Sequence, residues 1–350
     1  MNDIVKDAPL PIDDAALLDW LDANGIGSGP LESTRLLSGG TQNILLRFSR
    51  SGRNYVLRRP PLHLRRESND AMRREARVLA ALTSSDVPHP RLIAACDDEG
   101  VLGASFYVMA EIEGVNITTG LRDAHLPPEA QYAMGFAMVD GLAALGTIDY
   151  RAAGLEDFGR PAGYLERQVD RWRKQIQSYE QHDGWPGAGK LPHLATIEGW
   201  LDCNRPEQSA PGILHGDFHI ANVMFAPDAP RLAAIIDWEL ATIGDPLLDL
   251  GWMIATWPTP EDEPMAPIFS VRPWTGFPTP DELVDRYRHG STRDLSAINW
   301  YVVLACYKLG SILEGTYARS CAGKAEAGLG ARMHQATLAL FERAARRIAG

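Results

Sequence analysis

At 350 residues and 45% apolar composition, the chain can bury a sizeable core, either as one large two-lobed unit or as two domains. Its 34 basic and 45 acidic residues give a formal charge of −11, which argues against a nucleic-acid or anionic-membrane surface and leaves room only for a local basic pocket. The four cysteines, Cys96, Cys203, Cys306 and Cys321, are far apart and form no Cys-x-x-Cys pair, which points away from a disulfide framework or structural zinc and towards a reducing compartment.

The opening MNDIVKDAPLPIDD carries early acids and no apolar h-region, so no signal peptide is expected. Residues 13–24 read as a short amphipathic helix stopped by Gly25. A strand-like region follows: Leu36-Leu37 leads into 38-SGGTQN-43, then a strand at 44–48, a turn at Ser51-Gly52 and a strand at 55–57. Residues 69–82 have helical spacing of Met72, Ala76, Leu79 and Leu82, and two short strands are expected around 92–96 and 105–109. Residues 110–115 form a connector, and the chain then turns helical over 128–145, 161–180, 192–202, 280–289, 294–320 and 326–348. An apolar strand-loop-strand unit at 213–236 interrupts this run, with 226-APDAP-230 as its turn. No internal repeat is present. The apolar run 298–307 is too short to span a bilayer, and a cytoplasmic protein is expected. This gives an α+β chain: a small antiparallel β-sheet lobe with one main helix over residues 1–112, and a larger, mostly helical lobe over 113–350.

The chemistry concentrates in 214-LHGDFHIANVMF-225 and 234-AIIDWE-239. A strand ends at His215, Asp217 follows in the loop, and Asn222 precedes the next strand. A hairpin would return the chain to end at Asp237, bringing two carboxylates and an amide oxygen to one mouth. Hard oxygen donors of this kind suit magnesium shared with substrate phosphates. A carboxylate left over could orient a hydroxyl and accept its proton.

The spacing His-x-Asp-x-x-x-x-Asn followed by a strand-terminal Asp resembles the protein-kinase template, and HGDFHIAN with IIDWE resembles the aminoglycoside-phosphotransferase/choline-kinase-like family. Gly216 stands where protein kinases usually have arginine. A narrower similarity, carried by 55-YVLRRPP-61, 75-EARVLAAL-82, 164-YLERQVDRWRKQ-175, 276-GFPTPDELVDRY-287 and 306-CYKLGSILEGTYAR-319, is to the phosphotransferase domains associated with acyl-CoA dehydrogenases. Gly146 departs from that group, whose members commonly carry histidine there.

The resemblance implies a protein-kinase-like bilobal fold that binds Mg-ATP between its lobes. It implies that Asp217 is catalytic, that Asn222 and Asp237 hold Mg2+, and that Ser38, Gly39, Gly40 and Thr41 cover the nucleotide phosphates. Arg58 would contact phosphates and pair with Glu75, with Arg59 as the neighbouring alternative. The connector around Glu111 would hold adenine through backbone groups of 110–114, and His215, His219 and Asp249 would support the loop. The implied activity is transfer of the γ-phosphoryl group to a hydroxyl of a small molecule, by the fused relatives a hydroxyacyl-CoA; the sequence says nothing of oligomeric state.

Other readings of the same residues stay open at this point. His215-x-x-x-His219 could hold a transition metal if it were helical, which its strand-to-loop context opposes. A catalytically degenerate kinase fold that binds nucleotide as a sensor or scaffold is the alternative function; against it, Asp217, Asn222 and Asp237 are all present. Asp245 reads as a helix N-terminal cap. Arg167, Arg171 and Lys174 share a helical face that either meets an anionic substrate or is simply solvated.

Overall fold

The computed structural model describes residues 12–37, 43–207, 209–258 and 271–350. Its chain divides into two compact units, Met1–Glu113 with Ala233–Ala241, and Gly114–Leu232 with Thr242–Gly350. The short segment 233–241 therefore belongs with the first unit, although a linear division at 112/113 assigns it to the second lobe.

In the first unit, α1 (Asp14–Ala23) starts at Asp13, whose side chain accepts from the N–H groups of Ala15 and Ala16, both at 3.0 Å. Strands β1 (Glu32–Leu36), β2 (Ile44–Arg50) and β3 (Arg53–Arg59) are followed by α2 (Ser68–Leu82), β4 (Leu92–Cys96), the single turn α3 (Glu99–Leu102) and β5 (Phe106–Ala110). They form a five-stranded antiparallel sheet in the order β1-β2-β3-β5-β4. Leu46 pairs with Leu57 and Phe48 with Tyr55, and these side chains join Leu17, Leu21 and Phe106 in one apolar core. Side chains alternate along a strand, so Arg58 points away from that core, beside Tyr107 and towards α2. The turn residues Ser38, Gly39, Gly40 and Thr41 lie outside the described residues.

The second unit contains α4 (Pro128–Thr147), α5 (Glu166–Gln177), α6 (Leu194–Cys203), β6 (Gly212–Leu214) and β7 (Val223–Phe225). Strand β8 (Leu232–Ile235) leads into the 233–241 segment, after which come β9 (Thr242–Gly244), α7 (Leu247–Thr256), α8 (Pro280–Gly290), α9 (Ile298–Cys321) and α10 (Ala327–Ala349). Strand β6 pairs antiparallel with β9, placing Leu214 opposite Thr242. Neither β9 nor α7 is foreseen by periodicity. All of α7 from Asp249 to Thr256 is buried, so it lacks the polar face that would mark it as a helix. The helix expected at 161–180 is shorter, with regular α-structure only over Glu166–Gln177 and a 3₁₀ turn after it.

Two features fix α7 against its neighbours. Asp245, fully buried, accepts from Ser209 N–H and Oγ, from Leu247 N–H and from the Tyr301 hydroxyl, the last at 2.7 Å. The N-cap position of α7 is Pro246, so Asp245, expected as the cap, instead stands one residue earlier and serves a junction among α7, α9 and the segment before β6. Gly251 lets α7 approach α9 closely: a Cβ there would lie 2.7 Å from the backbone carbonyl carbon of Tyr301.

The described fold is α+β, a five-stranded antiparallel sheet followed by a mostly helical remainder. All four cysteines are free, and no helix among the described residues is long and apolar enough to cross a membrane. Leu57 is completely buried in the sheet core. Leu57→Ala should cost about 2–5 kcal/mol, read as a lowered urea midpoint at unchanged slope; an unchanged midpoint would contradict this packing.

Candidate active site

In the first unit, a single guanidinium is shared by three carboxylates. Arg58 Nε lies 3.1 Å from Glu75 on α2, while Arg58 Nη2 donates to Asp237 Oδ1 at 2.7 Å and lies 3.5 Å from Glu239. Arg58 and Glu75 are buried, whereas Asp237 is more than a third exposed. Glu75 Oε1 also accepts from the Trp238 N–H at 3.2 Å, tying α2 to the segment that carries Asp237. Asp237 itself sits in left-handed backbone, φ 67° and ψ 63°, a conformation that Asp and Asn tolerate better than other residues with a Cβ.

Burial opposes the charge on Arg58, but Glu75, Tyr107 and Asp237 outweigh it and hold its pKa above the ordinary arginine value. Burial pushes the Glu75 carboxyl up to about 7; Arg58 works against this, and the charges on Asp237 and Glu239 add to it. Arg59 is also buried, and desolvation lowers its pKa. Of the two candidate arginines, Arg58 is therefore the one paired with Glu75. Glu111 turns its carboxylate to Arg47 on β2, two N···O contacts of 3.2 Å each, and its N–H donates to the Asn54 carbonyl.

In the second unit, β6 delivers His215 into a buried position, where the chain must turn. The His215 N–H donates to Asp249 Oδ2 at 2.7 Å and the Gly216 N–H to Asp249 Oδ1 at 2.9 Å. Gly216 has φ 86°, which accounts for glycine at this step. Its carbonyl accepts from Lys308 Nζ at 3.1 Å. Burial pushes the Asp249 carboxyl up, against the pull of His215 and the two N–H donors.

Asp217, the next residue, is held on both oxygens. Oδ1 accepts from Trp252 Nε1 at 2.9 Å and lies 3.3 Å from His219 Nε2, and Oδ2 accepts from Asn222 Nδ2 at 3.1 Å. His219 Nδ1 accepts from the Ala221 N–H and His215 Nδ1 from the Asp217 N–H, so both rings are used as loop supports. Because Nδ2 of Asn222 donates to the carbonyl and carboxylate of Asp217, its Oδ1 is the atom not committed within the loop. Burial works to raise the pKa of Asp217, but His219, His215 and Lys308 outweigh it and hold it below the ordinary carboxylate value.

Lys308 and Trp252 are site residues that sequence reasoning did not single out. Lys308 Nζ lies 4.1 Å from the Trp252 ring centroid, and burial lowers its pKa against the pull of Asp217 and Asp249. The i,i+3 spacing of Asp249 and Trp252 in 244-GDPLLDLGW-252 would have placed both on one helical face; Lys308 had no such signal. Among the described residues, no group of three or more His, Cys, Asp or Glu side chains is placed to hold a metal ion.

The raised Glu75 carboxyl gives a pH test. A folded-state pKa of about 7 against an ordinary 4.5 contributes stability that is fully present below about 4.5 and lost as pH rises through about 7. Glu75→Gln lacks this titration, so its urea midpoint should fall less than the parent's over that window. Parallel pH profiles for the two proteins would refute the assignment.

Residues 33–289 match the model of the phosphotransferase enzyme family. Acyl-CoA dehydrogenase family member 11 of Gallus gallus is 32% identical over 303 residues, covering 84% of this chain and 38% of the chicken protein. This chain thus spans well under half the length of that relative. A crystal structure from Ralstonia eutropha JMP134, of a protein provisionally named as an aminoglycoside phosphotransferase, superposes with a TM-score of 0.79 at 30% identity, covering 96% of this chain and 99% of that one. A thermostable mutant of aminoglycoside phosphotransferase APH(4)-Ia, solved with ADP and hygromycin B, shares the fold at a TM-score of 0.56 and 16% identity, covering 95% of this chain and 98% of that one. With more than half its length matched, the chain belongs to the phosphotransferase enzyme family.

Proposed function

We propose that this protein is an ATP- and Mg2+-dependent small-molecule kinase that transfers the γ-phosphoryl group to a hydroxyl of its acceptor. The observation that carries this is Asp217: an ionised carboxylate following a buried strand, each oxygen held by a named donor. In this role Asp217 accepts a hydrogen bond from the acceptor hydroxyl and orients its oxygen for in-line attack. The new bond joins that oxygen to the γ-phosphorus, the bond from the γ-phosphorus to the β,γ-bridging oxygen breaks, and the hydroxyl proton passes to Asp217 as ADP leaves. The depressed pKa makes Asp217 a weak base. That suits a loose transition state, in which the hydroxyl becomes strongly acidic only once its oxygen bonds phosphorus.

Arg58 orients phosphates, Glu75 holds Arg58, and residues 38–41 are assigned to the nucleotide phosphates on the resemblance of their sequence alone. Backbone groups of 110–114 take the adenine. Asn222 through Oδ1 and Asp237 through its carboxylate are hard oxygen donors of the kind magnesium prefers, and they would hold it. When bound, the ion neutralises charge on the phosphate oxygens. The free cysteines support a reducing, cytoplasmic setting. The curated relatives are named as acyl-CoA dehydrogenase family members, and on that link to acyl-CoA a hydroxyacyl-CoA is the acceptor proposed first.

Asp217→Asn should retain ATP binding and lose transfer by roughly 10²–10⁴-fold. Asp237→Asn, chosen because asparagine keeps the left-handed backbone, should lose Mg2+-dependent nucleotide binding. Acceptor-dependent ADP release, measured across hydroxyacyl-CoAs, aminoglycosides, choline-like alcohols and sugars, identifies the substrate. Undiminished turnover in Asp217→Asn would sink the mechanism. A separate pair of variants resolves the arginines: Arg58→Ala should raise KM for ATP at least tenfold and Arg59→Ala by less, and the reverse order would reassign the phosphate contact.

A further inference from the structure

We infer that a pocket of about 450 Å³ against α5 binds a multiply charged phosphate group carried by the acceptor, remote from its reacting hydroxyl. Calling that ligand part of the acceptor rests on the kinase reading; the anion site itself does not.

The pocket is of ligand size, and its charged lining is cationic in balance: Arg160, Arg167, Arg171 and Lys174 against Glu166 and Asp170. Asp170 is already committed to Arg173, 2.5 Å away. Arg173 marks the contrast on the same helix. It is not one of the lining residues and is neutralised by Asp170, Glu198 and Asp202. Among the described residues, Arg171 and Lys174 make no carboxylate ion pair; the Arg171 guanidinium lies 5.1 Å from the centroid of the Trp172 ring. In a chain with eleven more acids than bases, four cationic side chains against two carboxylates make this lining a local excess of positive charge that an anion would complement.

The arginine geometry suits phosphate. Arg167 is fixed by donating to the carbonyls of Ala162 and Arg160, at 2.5 and 2.7 Å, which holds the loop before α5 in shape. Arg171 presents a planar fork, and Lys174 one turn on adds a point charge. Gln168 and Tyr164 complete the wall.

The pocket also connects to the catalytic loop within the same unit. Trp172, which carries Arg171 on one contact, lies 5.9 Å from Lys308 Nζ on another, and Lys308 donates to Gly216, beside Asp217. Trp172 is buried, so the pocket wall and the loop are joined through packed side chains, and the phosphate would anchor the acceptor on the outer face of that wall. Such a lining would repel a polycationic acceptor.

The test uses the full chain at saturating ADP, which fills the nucleotide site, with inorganic pyrophosphate as the probe. Calorimetric titration should show binding in the parent, weakened at least tenfold in Arg171→Ala/Lys174→Ala, with ADP affinity unchanged. Arg332→Ala, an exposed arginine on α10, serves as control and should bind as the parent does. No binding by the parent, a smaller loss in the double variant, or an equal loss in the control overturns the site. With a phosphate-bearing hydroxyl acceptor, the double variant should raise the acceptor's KM at least tenfold at unchanged KM for ATP. A parent that binds pyrophosphate yet turns over no acceptor removes the kinase reading and leaves the anion site standing. A parent that turns over such an acceptor but does not bind pyrophosphate does the opposite.

Discussion

Two backbone N–H groups at the end of a buried strand must find acceptors, and Asp249 supplies both of its oxygens to them. Leaving such groups unpaired would cost about 1–3 kcal/mol each. Satisfying them from one carboxylate also sets the direction in which the chain leaves β6. Everything in the 215–222 loop follows from that exit. Gly216 turns through positive φ, its carbonyl meets Lys308, and Asp217 arrives between Trp252 and Asn222. Asp249 and Trp252 are on one helix, so the brace and a donor to Asp217 move as a single body.

The first unit solves a different electrostatic problem. A guanidinium on a sheet strand and a carboxylate on α2 are both buried, and neither would be stable there alone. Asp237 and Glu239 make the balance unequal by bringing three carboxylates to one cation. The surplus negative charge sits towards Asp237 and Glu239, each about a third exposed, while Glu75 is buried. The two histidines of HGDFHIAN, which alone might have suggested a transition-metal site, instead accept backbone N–H groups through Nδ1.

Much of this was legible in the sequence where the relevant residues are close together. Turn and strand signals placed the sheet and helical spacing placed α2, while the family resemblance pointed to Arg58, with Arg59 beside it, and to Asp217 and Asn222 within a few positions of one another. Helix α7 escaped because it is buried on nearly all sides and so shows no periodic contrast. Lys308 escaped because it lies 92 residues from the carbonyl it binds, inside a helix whose apolar pattern suggests only core. The allocation of 233–241 to the first unit escaped for a related reason: it is decided by contacts such as Ile235 N–H to the Pro88 carbonyl, which no local pattern encodes.

The close approach at Gly251 has a consequence for how such a site could be tuned. One helix of that contact carries Asp249 and Trp252, and the other carries Lys308. The separation between the groups that grip the loop is thus set by the absence of a single methyl group. A wedge inserted there would act on the loop through geometry alone, spreading its supports without altering any charge. The geometry of the loop is in that sense calibrated from behind, at a residue outside the loop itself.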